Sequence, residues 1–187
     1  MTDAFVSRVC AAAARAVDDY LEMSGCDDQR AIPESWIQCS IARDLRAQTS
    51  KPSVLLEVPT DPSRWSSKRP NPLAGRDVGR KGRIDMLVFD RLEGEDHDEV
   101  WCAIEVKGAM SGWPAFTADM ARLTDLVTST EIRFGLLVYV SCRMPAAEMK
   151  KDRTTFRATV GATAEEQIVR ETETGELWRV ATAFVGV

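Results

Sequence analysis

The chain has a single histidine, His97, and it sits among acids in "EGEDHDE", the setting of a solvated turn residue rather than of a metal ligand or a catalytic base. With no second histidine available, no Ser or Cys nucleophile has a base to activate it. The five cysteines, at 10, 26, 39, 102 and 142, are odd in number and form no CxxC pair. That argues against a disulfide framework and a structural zinc site, and for a cytoplasmic protein. No GxxxxGK[ST] phosphate loop is present, and no apolar run approaches the ~20 residues of a membrane span. Neither a P-loop enzyme nor a membrane partner is expected. An overall excess of positive charge is missing too. With a net charge of -5, any nucleic-acid partner would need a local basic surface.

What is present is the composition of an ordinary globular protein, 44% hydrophobic and 28% charged, in a length of 187 residues that suits one domain, residues 1–187. The opening "MTDAFVSRVCAAAARAVDDY" is expected to be a helix rather than a signal peptide, because Arg8 and Arg15 interrupt its apolar segment and Asp3 replaces a positive start. Phe5, Val9, Ala12, Ala16 and Tyr20 recur at steps of three or four, and Gly25 stands where a stop belongs. A second helix is expected within 32–48, with Pro33 in its first turn and Ile37, Ile41 and Leu45 as its apolar stripe. At 100° per residue Glu34 lies within about 60° of all three. An acid therefore stands on the core-facing side, as a complement to the helix dipole or as a site residue. Trp36 projects from the opposite face, without an assigned role.

Strands are expected at 53–61, 83–90 and 100–107, the last two joined as a hairpin across the acidic turn "RLEGEDHDE". Residues 62–82 lose all periodicity and read as a long loop, of a length that in compact domains is usually functional or disordered. Next come an amphipathic helix at 114–130, carrying Phe116, Met120, Leu123 and Val127 on one side, and a strand at 134–141 that is apolar on both parities. A short helix near 145–152 and a hairpin over 166–185, turning at Gly175, complete the chain. The fold class is α/β of the mixed α+β type, a mixed central sheet flanked by helices. The C-terminal hairpin is expected to be an appendage to it.

Asp85 in "RIDMLVFD" and Glu105 and Lys107 in "IEVKG" lie inside two of the most apolar stretches of the chain. Burying a lone charge is costly, so these residues must be paired, metal-bound or at a strand end. On a strand, residues two apart share a face, which points Glu105 and Lys107 the same way, roughly 6.6 Å apart. If the hairpin register sets Asp85 beside Glu105, two carboxylates converge as ligands for a hard cation such as Mg²⁺. Lys107 would then orient a water or stabilise charge on a phosphate.

An acid on the first core helix (Glu34), Asp85 in the second strand and Glu105-Val106-Lys107 in the third, followed by an amphipathic helix and a buried strand, together resemble the PD-(D/E)XK nuclease superfamily over residues 33–141. The resemblance implies a restriction-endonuclease-like αβββαβ core and Mg²⁺-dependent phosphodiester hydrolysis, with Mn²⁺ as a substitute ion. It implies Asp85 and Glu105 as metal ligands, the Val106 carbonyl as a further ligand, Lys107 as the cation beside the reacting phosphate and Glu34 as an accessory ligand. Glu57, late in the strand at 53–61, is the alternative third acid. Ile84 stands where the name-giving proline would be, and "TADMARL" lacks the Gln and Tyr of the RecB-like branch, so no branch is assigned. A second ExK, Glu148-Met149-Lys150, lies in a polar helical segment and serves as a decoy. The second function class is a nuclease-fold subunit that binds or assembles without hydrolysing.

Between 64 and 83 the chain carries Arg64, Lys68, Arg69, Arg76, Arg80, Lys81 and Arg83 against the single acid Asp77. Placed directly before Asp85, this segment is expected to grip nucleic-acid phosphates through Lys68, Arg69, Arg80, Lys81 and Arg83, with Trp65 as a stacking surface for an unpaired base. DNA is the expected partner ahead of RNA. Since no separate target-recognition domain is evident, specificity is left to loops, a homodimer or a partner protein.

Overall fold

The computed structural model describes residues 2–25, 32–47, 53–59, 83–90, 99–108, 112–130, 132–160, 163–171 and 175–186. The first helix, α1 (Thr2–Ser24), ends as expected at Gly25, whose φ of 59° suits glycine. The second, α2 (Glu34–Arg46), takes Pro33 as its N-cap, one position before the first turn. The strands β1 (Ser53–Pro59), β2 (Arg83–Asp90) and β3 (Glu99–Gly108) follow. Then come α3 (Gly112–Ser129), β4 (Phe134–Pro145), α4 (Ala146–Val160), β5 (Thr163–Glu171) and β6 (Glu176–Gly186). Among the described residues no helix is long and apolar enough to cross a membrane.

Among the described residues six strands form one sheet in the order β1-β2-β3-β4-β6-β5, with β3 and β4 parallel and every other pair antiparallel. The C-terminal hairpin forms and turns at Gly175, with φ 75°, but it is not an appendage. Strand β6 pairs along β4 from Phe134↔Gly186 to Pro145↔Glu176, and β5 extends the sheet beyond it. The reason lies in β4 itself. Leu136, Leu137, Val138 and Tyr139 are all buried, and a strand covered on both faces needs a hydrogen-bonding neighbour on each edge. Helix α4 is longer than the sequence suggested, since its only buried residues, Met149 and Phe156, are two turns apart and the polar remainder masks the period.

The alternation of β3 assigns the two faces. Cys102, Ile104 and Val106 pack with α1 and α2, against Val9, Ile37, Ile41 and Leu45. Ala103 packs on the other face, with Phe116, Leu123, Leu126 and Phe156 of α3 and α4. Each fully buried large apolar side chain contributes about 1.5–3 kcal/mol relative to exposure. Trp36 gains its role here: its Nε1 donates to the Ala16 carbonyl at 2.8 Å and its ring meets Tyr20 edge-on, tying α2 to α1. The crossover from β3 through α3 to the parallel β4 lays α3 against the same face of β3 that carries Glu105 and Lys107.

Candidate active site

The β2–β3 ladder runs antiparallel with Met86 opposite Ile104, a register that sets Asp85 across from Glu105. At this position the Val106 N–H donates to the Asp85 carboxylate, 2.7 Å from Oδ2, rather than to a strand carbonyl. Two carboxylates thus meet where the regular pairing gives out. Glu105 is fully buried. Its Oε1 accepts from Arg122 Nε at 2.9 Å and lies 2.7 Å from Arg122 Nη2, while its Oε2 is buried without a hydrogen-bond partner.

Burial, reinforced by the negative charge of Asp85, pushes the Glu105 carboxyl up to about 9 against the pull of Arg122. At neutral pH it therefore holds a proton. Asp85 is also raised, chiefly by burial, with the Val106 N–H and Lys107 opposing and Glu34 and Glu57 adding to the rise. Burial works against the charge on Lys107, but Asp119 and Glu34 outweigh it and lift its pKa above the ordinary lysine value, so the ammonium stays charged. Its Nζ lies 3.2 Å from Asp119 Oδ2 and 3.5 Å from Glu34 Oε2. Glu34 also accepts the Gly108 N–H at 3.0 Å, which fixes its carboxylate over the end of β3.

Glu34, Asp85, Glu105, Val106 and Lys107 are thus brought together from α2, β2 and β3. Glu57 stands across from Asp85 on β1, but its backbone is left-handed, φ 53°, and its carboxylate is exposed and faces Arg83 Nη1 at 3.3 Å. A non-glycine residue in that region costs roughly 1–2 kcal/mol. Arg83 is exposed beside it. Trp65, Lys68, Arg69, Arg80 and Lys81 lie outside the described residues, as does His97. The decoy is plainly different: Glu148 and Lys150 are exposed on α4 and only Met149 is buried.

Two members of this site were missed from the sequence. Asp119 and Arg122, one turn apart on α3, are joined at 2.6 Å and reach Lys107 and Glu105 respectively. The signal was available. Asp119 lies three residues after Phe116 and four before Leu123, an acid within an apolar stripe, just as Glu34 is. A second buried network lies elsewhere on the same sheet. Arg179 of β6, fully buried, donates to Asp152 at 2.7 Å, faces Glu166 at 3.6 Å and sits over the rings of Tyr139 and Phe156.

Among the described residues no group of three or more His, Cys, Asp or Glu side chains is placed to hold a metal ion. The site offers less than that, a pair of hard oxygen donors on Asp85 and Glu105. The orphaned Oε2 is the atom a divalent cation would satisfy in exchange for the Glu105 proton. A donor set of few carboxylates fits Mg²⁺, which keeps most of its waters. Comparison of the chain with protein-family models, with characterised proteins and with solved structures finds no match.

Proposed function

We propose that the chain is a Mg²⁺-dependent nuclease that hydrolyses phosphodiester bonds in DNA, with RNA as the second substrate. One observation carries the reading: Glu34, Asp85, Glu105 and Lys107, scattered over 74 positions of sequence, gather at one end of β3, with Asp85 held by the Val106 N–H. The order α2-β1-β2-β3-α3-β4 supports a restriction-endonuclease-like core, since it follows the αβββαβ order of the PD-(D/E)XK superfamily.

Asp85 and Glu105 would hold the ion, with the Val106 carbonyl as a further donor and Glu34 as an accessory acid. When bound, Mg²⁺ supplies a water of lowered pKa and positive charge for the phosphate oxygens. The chain's own contribution is positional. Arg122 holds Glu105 by one oxygen and leaves the other unpartnered, and the Val106 N–H fixes Asp85. Lys107, too basic to act as a proton acceptor, presents a fixed cation that can orient the attacking water and stabilise the charge that develops on the phosphate. Lys68, Arg69, Arg80, Lys81 and Arg83 would neutralise flanking phosphates, and Trp65 would stack on a base. Specificity would come from these loops, a homodimer or a partner protein.

A second reading has its own support: Lys107 and Arg122 are already paired with acids, as a purely structural network would require. In that case the chain would be a nuclease-fold subunit that binds or assembles without cleaving. Incubation of supercoiled plasmid, single-stranded DNA and RNA with Mg²⁺ or Mn²⁺ separates the two. Cleavage that disappears in Lys107→Ala supports the enzyme, and no cleavage of any substrate supports the subunit.

A further inference from the structure

Helix α3 does more than cover the sheet. Arg122 Nη2 bridges two acids, 2.7 Å from Glu105 Oε1 and 2.6 Å from Asp119 Oδ1, while the other Asp119 oxygen lies 3.2 Å from Lys107 Nζ. The groups form an unbroken chain of alternating acids and bases, Glu105, Arg122, Asp119, Lys107 and Glu34, that runs from the acid of the ExK tripeptide to its lysine and on to α2. Asp119 is buried, and the Arg122 and Lys107 side chains are each only 18% exposed, so water screens these contacts poorly. The planar guanidinium matters because its donors leave in fixed directions, so one side chain can set the position of two carboxylates at once.

We propose that Asp119 and Arg122 are positioning residues of this site: Arg122 fixes Glu105 in the one orientation that leaves Oε2 to a divalent cation, and Asp119 aims the Lys107 ammonium at the reacting phosphate. The proposal rests on the nuclease reading and deepens it. Neither residue touches the substrate. Asp119 acts through Lys107 and so through turnover, whereas Arg122 acts through Glu105 and so through metal affinity.

The test uses the full chain as wild type, Arg122→Lys and Asp119→Asn, with Mn²⁺ as the metal probe. Arg122→Lys keeps the charge but loses the fork, so a change in affinity reports geometry rather than Coulomb attraction. Asp119→Asn keeps the shape and removes the nearer of the two carboxylate charges that hold Lys107. Melting temperatures establish that both variants fold. Mn²⁺ affinity, read by electron paramagnetic resonance, is expected to fall about tenfold in Arg122→Lys, the scale found for residues that orient metal ligands. In Asp119→Asn it should change far less. That variant should instead lose about 100-fold in kcat with little change in KM, the scale of a catalytic group misplaced by an ångström. Its Lys107 ammonium resonance in nitrogen-edited NMR should broaden or disappear as the ammonium, held by Glu34 alone, exchanges faster with water. A wild type that binds Mn²⁺ and cleaves, beside folded variants that match it in affinity, kcat and the Lys107 resonance, overturns this inference alone. A wild type that neither binds Mn²⁺ nor cleaves overturns the nuclease reading and this inference together.

Discussion

Glu105→Gln in the metal-free protein isolates the most perturbed ionisable group in the site. Gln keeps the shape of the side chain and can still accept from Arg122, so the substitution removes little beyond the ionisable group. Wild-type Glu105 has its pKa raised from an ordinary 4.5 to about 9, first by burial and then by Asp85. Between those two values the folded protein holds a proton that the unfolded chain has released. Its stability contribution is therefore largest below the unfolded value and is lost as pH rises toward the folded one. One proton of difference corresponds to about 1.4 kcal/mol per pH unit. From pH 5.5 to 7.5 the metal-free wild type should lose about 3 kcal/mol that the Gln variant keeps. The raised carboxyl of Asp85 works in the same direction in both proteins and cancels in the comparison. Urea unfolding in EDTA at pH 5.5, 6.5 and 7.5 measures the difference. Stability curves for the two proteins that run parallel in pH would refute the claim that burial keeps Glu105 protonated.

Three other outcomes follow, two from the structure and one from the sequence. Binding of Mg²⁺ should release about one proton near pH 7, because the carboxylate must ionise to become a ligand; titration heats measured in buffers of different ionisation enthalpy should differ accordingly, and equal heats contradict it. Arg179→Leu should destabilise by about 3 kcal/mol in chemical denaturation, since it leaves Asp152 with the Tyr139 and Ser141 hydroxyls but no cation, while Glu166 keeps Arg153, and a loss under 1 kcal/mol would show that the network is relaxed by water. Changing Lys68, Arg69, Arg80 and Lys81 together to Ala in a metal-free Lys107→Ala background should flatten the plot of log affinity for a labelled oligonucleotide against log salt by about 0.7–0.9 for each phosphate no longer neutralised, and an unchanged slope assigns those residues to another task.

The sequence showed most where a residue broke the pattern around it. Asp85, Glu105 and Lys107 stood out because carboxylates and an ammonium have no reason to sit in apolar strands unless something compensates them, and the structure supplies Arg122, Asp119, Glu34 and the Val106 N–H. The same logic applied to Asp119 in α3, and to Arg179 within "LWRVATAF", but there the surrounding apolar period was strong enough to be read alone. The missing information was of another kind for the C-terminal hairpin. Its two strands and turn are local and were legible, whereas its place beside β4 depends on which distant strand has an open edge, and no local pattern encodes that. Glu57, late in the first strand, was the alternative third acid. What sequence could not show was its left-handed backbone and its turn toward Arg83.

The central claim is that the charges at the end of β3 form a site for phosphodiester hydrolysis, and cleavage by matched variants tests it most directly. Supercoiled plasmid and end-labelled single-stranded DNA are incubated in Mg²⁺ with wild type, Asp85→Ala, Lys107→Ala and Lys150→Ala, each with an EDTA control. Cutting by wild type and Lys150→Ala, abolished by EDTA and absent in Asp85→Ala and Lys107→Ala, is the predicted result. Equal cutting by wild type and Lys107→Ala, or no cutting by any protein, would contradict it.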